Sequence, residues 1–119
     1  MTTSGPKFQV EATALDAALA FLGRLRGTYD VSEAIVFGSR ARGEHRADSD
    51  LDLAVVLNGR RGDFLDTRLD MAGIAFDVLL ETDILVQPFP LWEGDIAHPE
   101  RFSNPSLIRA IAADGIRLR

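Results

Sequence analysis

Gly38 and Ser39 are followed by Arg40, Ala41, Arg42 and Gly43, and then by Ser49, Asp50, Leu51, Asp52 and Leu53. The first group follows the short β-branched and aromatic run Glu33–Phe37, which reads as a buried strand broken where a helix can begin. Such a turn leaves backbone N–H groups without partners and presents the positive end of a short helix, an arrangement that favours phosphate. The Ser39 hydroxyl adds a further donor. Asp50 and Asp52 are spaced i, i+2 at the start of the apolar run Leu51–Leu57. Strand side chains alternate in direction, so both carboxylates project from one face while Leu51, Leu53, Val55 and Leu57 pack the other. Hard oxygen donors beside a phosphate-binding turn suit magnesium, which takes one or two protein carboxylates and fills its remaining positions with water and phosphate oxygens.

A third carboxylate would complete a two-metal site. Alternation within Ile74–Leu80, read as a strand, places Ile74, Phe76, Val78 and Leu80 on one face and Asp77 on the other. A carboxylate among apolar residues needs compensation for its desolvation, and metal coordination would supply it. Paired cations can clamp the attacking and leaving oxygens of a displacement.

The spaced set Gly38-Ser39, Ala41-Arg42-Gly43, Ser49-Asp50 and Asp52-Leu53 resembles the signature of the polymerase-β-like nucleotidyltransferase superfamily, with its minimal nucleotidyltransferase (MNT) branch the close match. The resemblance implies an α+β fold with a mixed β-sheet flanked by helices. It implies Mg2+ held by Asp50 and Asp52, with Asp77 as third ligand and base, and ATP phosphates on Gly38 and Ser39. Arg40 and Arg42 would contact phosphate, face a partner or solubilise the turn. The branch commonly pairs with a small all-helical HEPN protein, as antitoxin to toxin, and transfers AMP from ATP to a tyrosine of that partner. Two other roles stay open: an antitoxin that acts by contact alone, and adenylylation of a small molecule of the aminoglycoside type.

These groups must be positioned by the rest of the chain. Residues 1–119 read as one minimal nucleotidyltransferase domain, with residues 1–10 outside its regular elements. Leu15, Ala18, Leu22 and Leu25 recur at helical spacing over Ala12–Arg26, with Gly27 as a stop. The motif helix is expected over Ser39–Glu44, and a second strand over Leu51–Leu57 that ends at Asn58-Gly59. A helix follows over Asp63–Ala72, capped by Asp63 and separated by Gly73 from the Asp77 strand. After Leu80, Pro88, Pro90, Pro99 and Pro105 interrupt any periodicity, so the segment reads as an irregular loop or short helices with Trp92 packed on the core. Ser106–Ala113 reads as a helix and Ile116–Leu118 as a strand.

A formal net charge of −5 disfavours broad nucleic-acid binding, which needs a basic surface to displace counterions. Arg40, Arg42, Arg46, Arg60 and Arg61 are the local exception, expected to gather near the phosphate turn. The chain has no cysteine, which removes disulfide, thiolate and zinc-thiolate chemistry. His45 and His98 have no partner at metal-ligand spacing. No apolar stretch is long enough to span a bilayer and no secretion signal is evident, so a cytoplasmic location is expected.

Overall fold

The computed structural model describes residues 10–42 and 50–118, with the side chain of Arg42 excepted. The chain order is α1 (Ala12–Leu25), β1 (Val31–Phe37), α2 (Ser39–Arg42), β2 (Leu51–Leu57), α3 (Phe64–Thr82), β3 (Val86–Trp92), α4 (Glu93–Ala97), a 3-10 turn (Pro99–Arg101), α5 (Pro105–Asp114) and β4 (Ile116–Leu118). The four strands form one mixed sheet in the order β3-β2-β1-β4. β1 is antiparallel to both β2 and β4, whereas β2 and β3 run parallel on either side of α3. This is the mixed sheet with flanking helices that the resemblance implies.

Strand alternation divides the core into two layers. Ala34, Val36, Leu51, Leu53, Val55 and Leu57 pack with residues of α1 and with Met71, Ala75 and Val78 of α3. Ile35, Ala54, Val56 and Leu91 pack with Phe102, Ile108 and Ile111 on the other face. Phe89 binds that second layer together, with edge-on contacts to Phe37, Phe64 and Phe102 at ring-centre distances of 6.2, 5.3 and 5.8 Å. Gly115 lets α5 turn into β4, because a Cβ there would lie 2.2 Å from Ile35 Cγ2 and 2.6 Å from the Ile111 carbonyl oxygen.

Two elements differ from the sequence expectation. Ile74–Leu80 is helical, a continuation of α3 through Gly73 to Thr82. One glycine costs a helix about 1 kcal/mol. Burying Met71, Ala75 and Val78 on one helical face, each at most 1% exposed, offsets that cost. The alternating pattern of Ile74–Leu80 is too short to separate strand from helix, and helical packing decides it. Asp63 does cap the helix, its side chain accepting the Asp66 N–H at 2.9 Å.

The second difference is β3. Val86–Trp92, with prolines at 88 and 90, is a strand paired to β2 along its whole length. It lies at the sheet edge, where a residue lacking an N–H can face outward without breaking a ladder. Trp92 packs into the first core layer, 5% exposed, as expected. The helices at Ala12–Leu25 and Pro105–Asp114 and the strand at Ile116–Leu118 agree with the sequence reading to within one residue at each end. Among the described residues, no helix is long and apolar enough to cross a membrane.

Candidate active site

The C-terminal end of β1 and the N-terminal ends of β2 and β3 meet at one edge of the molecule, because Phe37 pairs with Asp52 and Asp52 with Gln87. Gly38 begins the turn into α2 with φ +75°, a conformation that only glycine adopts without strain. It also backs directly onto Asp52, since a Cβ on Gly38 would lie 2.4 Å from Asp52 Oδ2. Backbone freedom and close approach both select glycine here. The turn is closed by the Ala41 N–H donating to the Gly38 carbonyl at 3.1 Å. Ser39 is half-buried at the start of α2.

Asp52 is half-buried and Asp50 exposed. By alternation both lie on the face that carries Ala54 and Val56, away from α1 and α3. The Gln87 side-chain amide donates to Asp50 Oδ2 at 3.0 Å. Two carboxylates and one neutral amide thus share the end of the sheet beside a glycine turn. Sequence reasoning missed Gln87, because it lies in a proline-containing segment that gives no strand signal.

Asp77 is not brought to this group. It lies on the exposed side of α3, and α3 packs on the opposite face of the sheet from Asp50 and Asp52. Its expected strand position followed from the strand reading of Ile74–Leu80, which helical packing overrides. Among the described residues, no three histidine, cysteine or carboxylate side chains gather where one metal ion could bind them.

Arg40 turns inward. Only 2% of the residue is exposed, and Nη1 lies 2.6 Å from Glu11 Oε1 at the start of α1. It therefore ties the motif helix to α1 and does not solubilise the turn. Arg60 and Arg61 follow the far end of β2, seven residues along the strand, rather than the phosphate turn. Arg61 instead faces Asp95 at 3.5 Å and lies over the Phe102 ring. Gly43, Glu44, His45, Arg46 and Ser49 lie outside the described residues, as does the Arg42 side chain.

Beside the turn a cavity of about 240 Å³ opens between α2 and α5, walled by Phe37, Ala41, Leu107, Ala110 and Ile111, with Asp114 at its margin and Gly38 in its wall. An apolar cleft adjoining a phosphate-binding turn is a suitable seat for the organic part of a phosphorylated ligand.

The residues present fit a magnesium ion carried with a triphosphate. Asp50 and Asp52 supply two hard anionic donors on one face, and Gly38 leaves the space that a Cβ would take from Asp52. They do not supply the three carboxylates expected of an all-protein two-metal cage.

A nucleotidyltransferase domain model matches residues 16–117. Among solved structures, the chain is similar to the crystal structure at 1.40 Å resolution of a proposed nucleotidyltransferase from Sulfolobus solfataricus. The TM-score is 0.53 with 22% sequence identity, over 90% of this chain and 86% of that one, a likeness of fold. No curated protein matches the chain at a significant level.

Proposed function

Because this chain belongs to the nucleotidyltransferase domain family and is a transferase, we propose that it moves AMP from ATP to a hydroxyl, that of a tyrosine on a small helical HEPN-type partner, with magnesium. The observation that carries the reading is the approach of Gly38 to Asp52, with Asp50 on the same face: a phosphate turn and two metal-ligating groups share one site. Asp50 and Asp52 would hold the ion, which when bound neutralises triphosphate charge.

The chain's own part is chiefly positioning. The Gly38–Ser39 turn directs backbone N–H groups at the β and γ phosphates, and the cleft beside α5 receives the nucleoside. Gln87 holds Asp50 in place by its hydrogen bond to Oδ2, and the acceptor hydroxyl gives its proton to water as it attacks. The acceptor oxygen then bonds to the α-phosphorus, the bond from that phosphorus to the bridging oxygen breaks, and pyrophosphate leaves.

The contact-only antitoxin is the second reading. What favours it is the lack of a third carboxylate beside Asp50 and Asp52 among the described residues. Intact-protein mass spectrometry of a small helical HEPN-type protein, after incubation with this chain, ATP and magnesium, separates the two. A gain of one or more adenylyl groups that is lost in the Asp50→Asn/Asp52→Asn variant supports transfer. Tight association without any mass gain supports contact alone.

A further inference from the structure

The outer face of α3 carries large apolar side chains that no other described element covers. Leu65, Leu69, Phe76 and Leu80 are 61, 62, 55 and 70% exposed, and among the described residues Leu19, at 42%, is the one other large apolar residue in the exposed class. At 100° per residue they fall with Ala72 in an arc of about 80°, centred roughly 130° round from buried Met71, Ala75 and Val78. Their spacing of 4, 3, 4 and 4 residues is that of a helix-pairing seam. Gly73 lies halfway along its length, at the edge toward the acidic flank, where an added Cβ would meet nothing within 4 Å. The isolated fold therefore has no packing need for a glycine there, while a helix approaching closely would.

Charge identifies the occupant. Asp66, Asp77, Asp70 and Glu81 occupy the next arc of about 60° on one flank of the seam. Asp70 bonds to Tyr29 and Glu81 to Arg24, both on the α1 side. Asp66 and Asp77 are exposed, and neither has an ion pair among the described residues. A second copy is a poor occupant. Antiparallel pairing about Ala72 and Gly73 matches Leu65 with Leu80 and Leu69 with Phe76, but it brings Asp66 and Asp70 against Asp77 and Glu81 of the copy. Like charges so placed oppose association, and each copy carries a net charge of −5.

We propose that the outer face of α3 docks an amphipathic helix of a different polypeptide, whose apolar seam meets Leu65, Leu69, Phe76 and Leu80 and whose lysine- or arginine-bearing flank meets Asp66 and Asp77. This mode of recognition reads an apolar stripe for affinity and the flanking charges for partner choice. As a seat for the helical acceptor protein, the surface rests on the reading given above. Its test involves no transfer, so the two fail separately.

The probe is a synthetic three-heptad helix with leucine at the seam and lysine on the flanks, beside a twin carrying glutamate in place of lysine. Calorimetry should show the lysine peptide binding at least about tenfold more tightly than its twin. Amide exchange should slow over Leu65–Leu80. Leu69→Ser/Phe76→Ser should weaken binding by at least about tenfold, and Asp66→Lys/Asp77→Lys should reverse the peptide preference. Both pairs alter exposed side chains, and melting curves check that each variant folds. Equal binding of the two peptides, protection elsewhere, or a dimer of the chain alone that Leu69→Ser/Phe76→Ser dissociates would each overturn the proposal.

Discussion

Gln87 stands across the β2–β3 ladder from Asp52, and its side-chain amide donates to Asp50 Oδ2 at 3.0 Å. One residue is thus registered to both carboxylates of the site. Its N–H fixes the orientation of Asp50, and such outer partners commonly control metal affinity by 10- to 100-fold. Gln87→Ala is expected to weaken magnesium-dependent ATP binding by about tenfold, read by calorimetry with and without the ion. Gln87→Asp removes the donor and adds charge. It should lower stability without magnesium and recover it as magnesium is added, which melting curves at rising ion concentration would show.

Gly38 meets two constraints at once, φ +75° and contact with Asp52. Gly38→Ala must strain the backbone and displace the Asp52 carboxylate. The expected loss is about 1–2 kcal/mol for the left-handed conformation alone, with ATP binding reduced beyond what unfolding explains. Urea denaturation and nucleotide titration of the folded fraction check the two parts. Unchanged binding would separate the turn from the site.

Much of this architecture is legible in the sequence where local pattern and burial agree. Leu51–Leu57 alternates and is a strand at those bounds, and Asp50 and Asp52 share a face as that alternation requires. Leu15, Ala18, Leu22 and Leu25 mark α1 by helical spacing. Legibility fails where tertiary context overrides local pattern. Gly73 reads as a break but is carried inside a helix anchored by Met71, Ala75 and Val78. Pro88 and Pro90 read as irregular, yet an edge position accommodates both. These two substitutions of element moved Asp77 off the sheet and brought Gln87 into the site. Arg40 misleads for a different reason: an arginine beside a phosphate turn looks like an anion ligand until its burial against Glu11 is seen.

Asp77 gives a direct control on that assignment. Its side chain is exposed on α3, across the sheet from Asp50 and Asp52. Asp77→Asn should leave magnesium-dependent ATP binding within about twofold of the parent, whereas Asp50→Asn or Asp52→Asn should lower it by at least about tenfold, the latter corresponding to 1.4 kcal/mol. Parallel calorimetric titrations of the three variants decide it. Comparable losses in all three would return Asp77 to the site.

Arg40 joins α2 to α1 from a position where its side chain is 1% exposed and that of Glu11 45%. Removing one partner of a buried pair costs about 3–5 kcal/mol because the other charge is stranded. Here Arg40→Ala should cost less, about 2 kcal/mol, since Glu11 keeps access to water. Glu11→Ala should also lower stability, by removing one ion-pair partner of the buried guanidinium. Denaturant midpoints of the two variants, measured in low and high salt, test both losses.

Tyr29 is the chain's single tyrosine, and its phenol is pushed up to about 12, first by burial and then by its hydrogen bond to Asp70. The unfolded chain ionises nearer 10.0, so the neutral phenol is favoured in the folded state. The sign follows from that order. Stability from this group is complete below about pH 10 and declines as the pH rises toward 12, because the unfolded state loses its proton first. Tyr29→Phe should abolish that part of the alkaline decline while costing about 1 kcal/mol at neutral pH for the lost hydrogen bond. Asp70→Asn should lower the phenol pKa without returning it fully to 10.0, because burial is the larger cause. With one tyrosine in the chain, the ultraviolet absorbance of the phenolate reports that pKa directly. A midpoint near 10.0 in the parent protein would show that Tyr29 is not held between burial and Asp70.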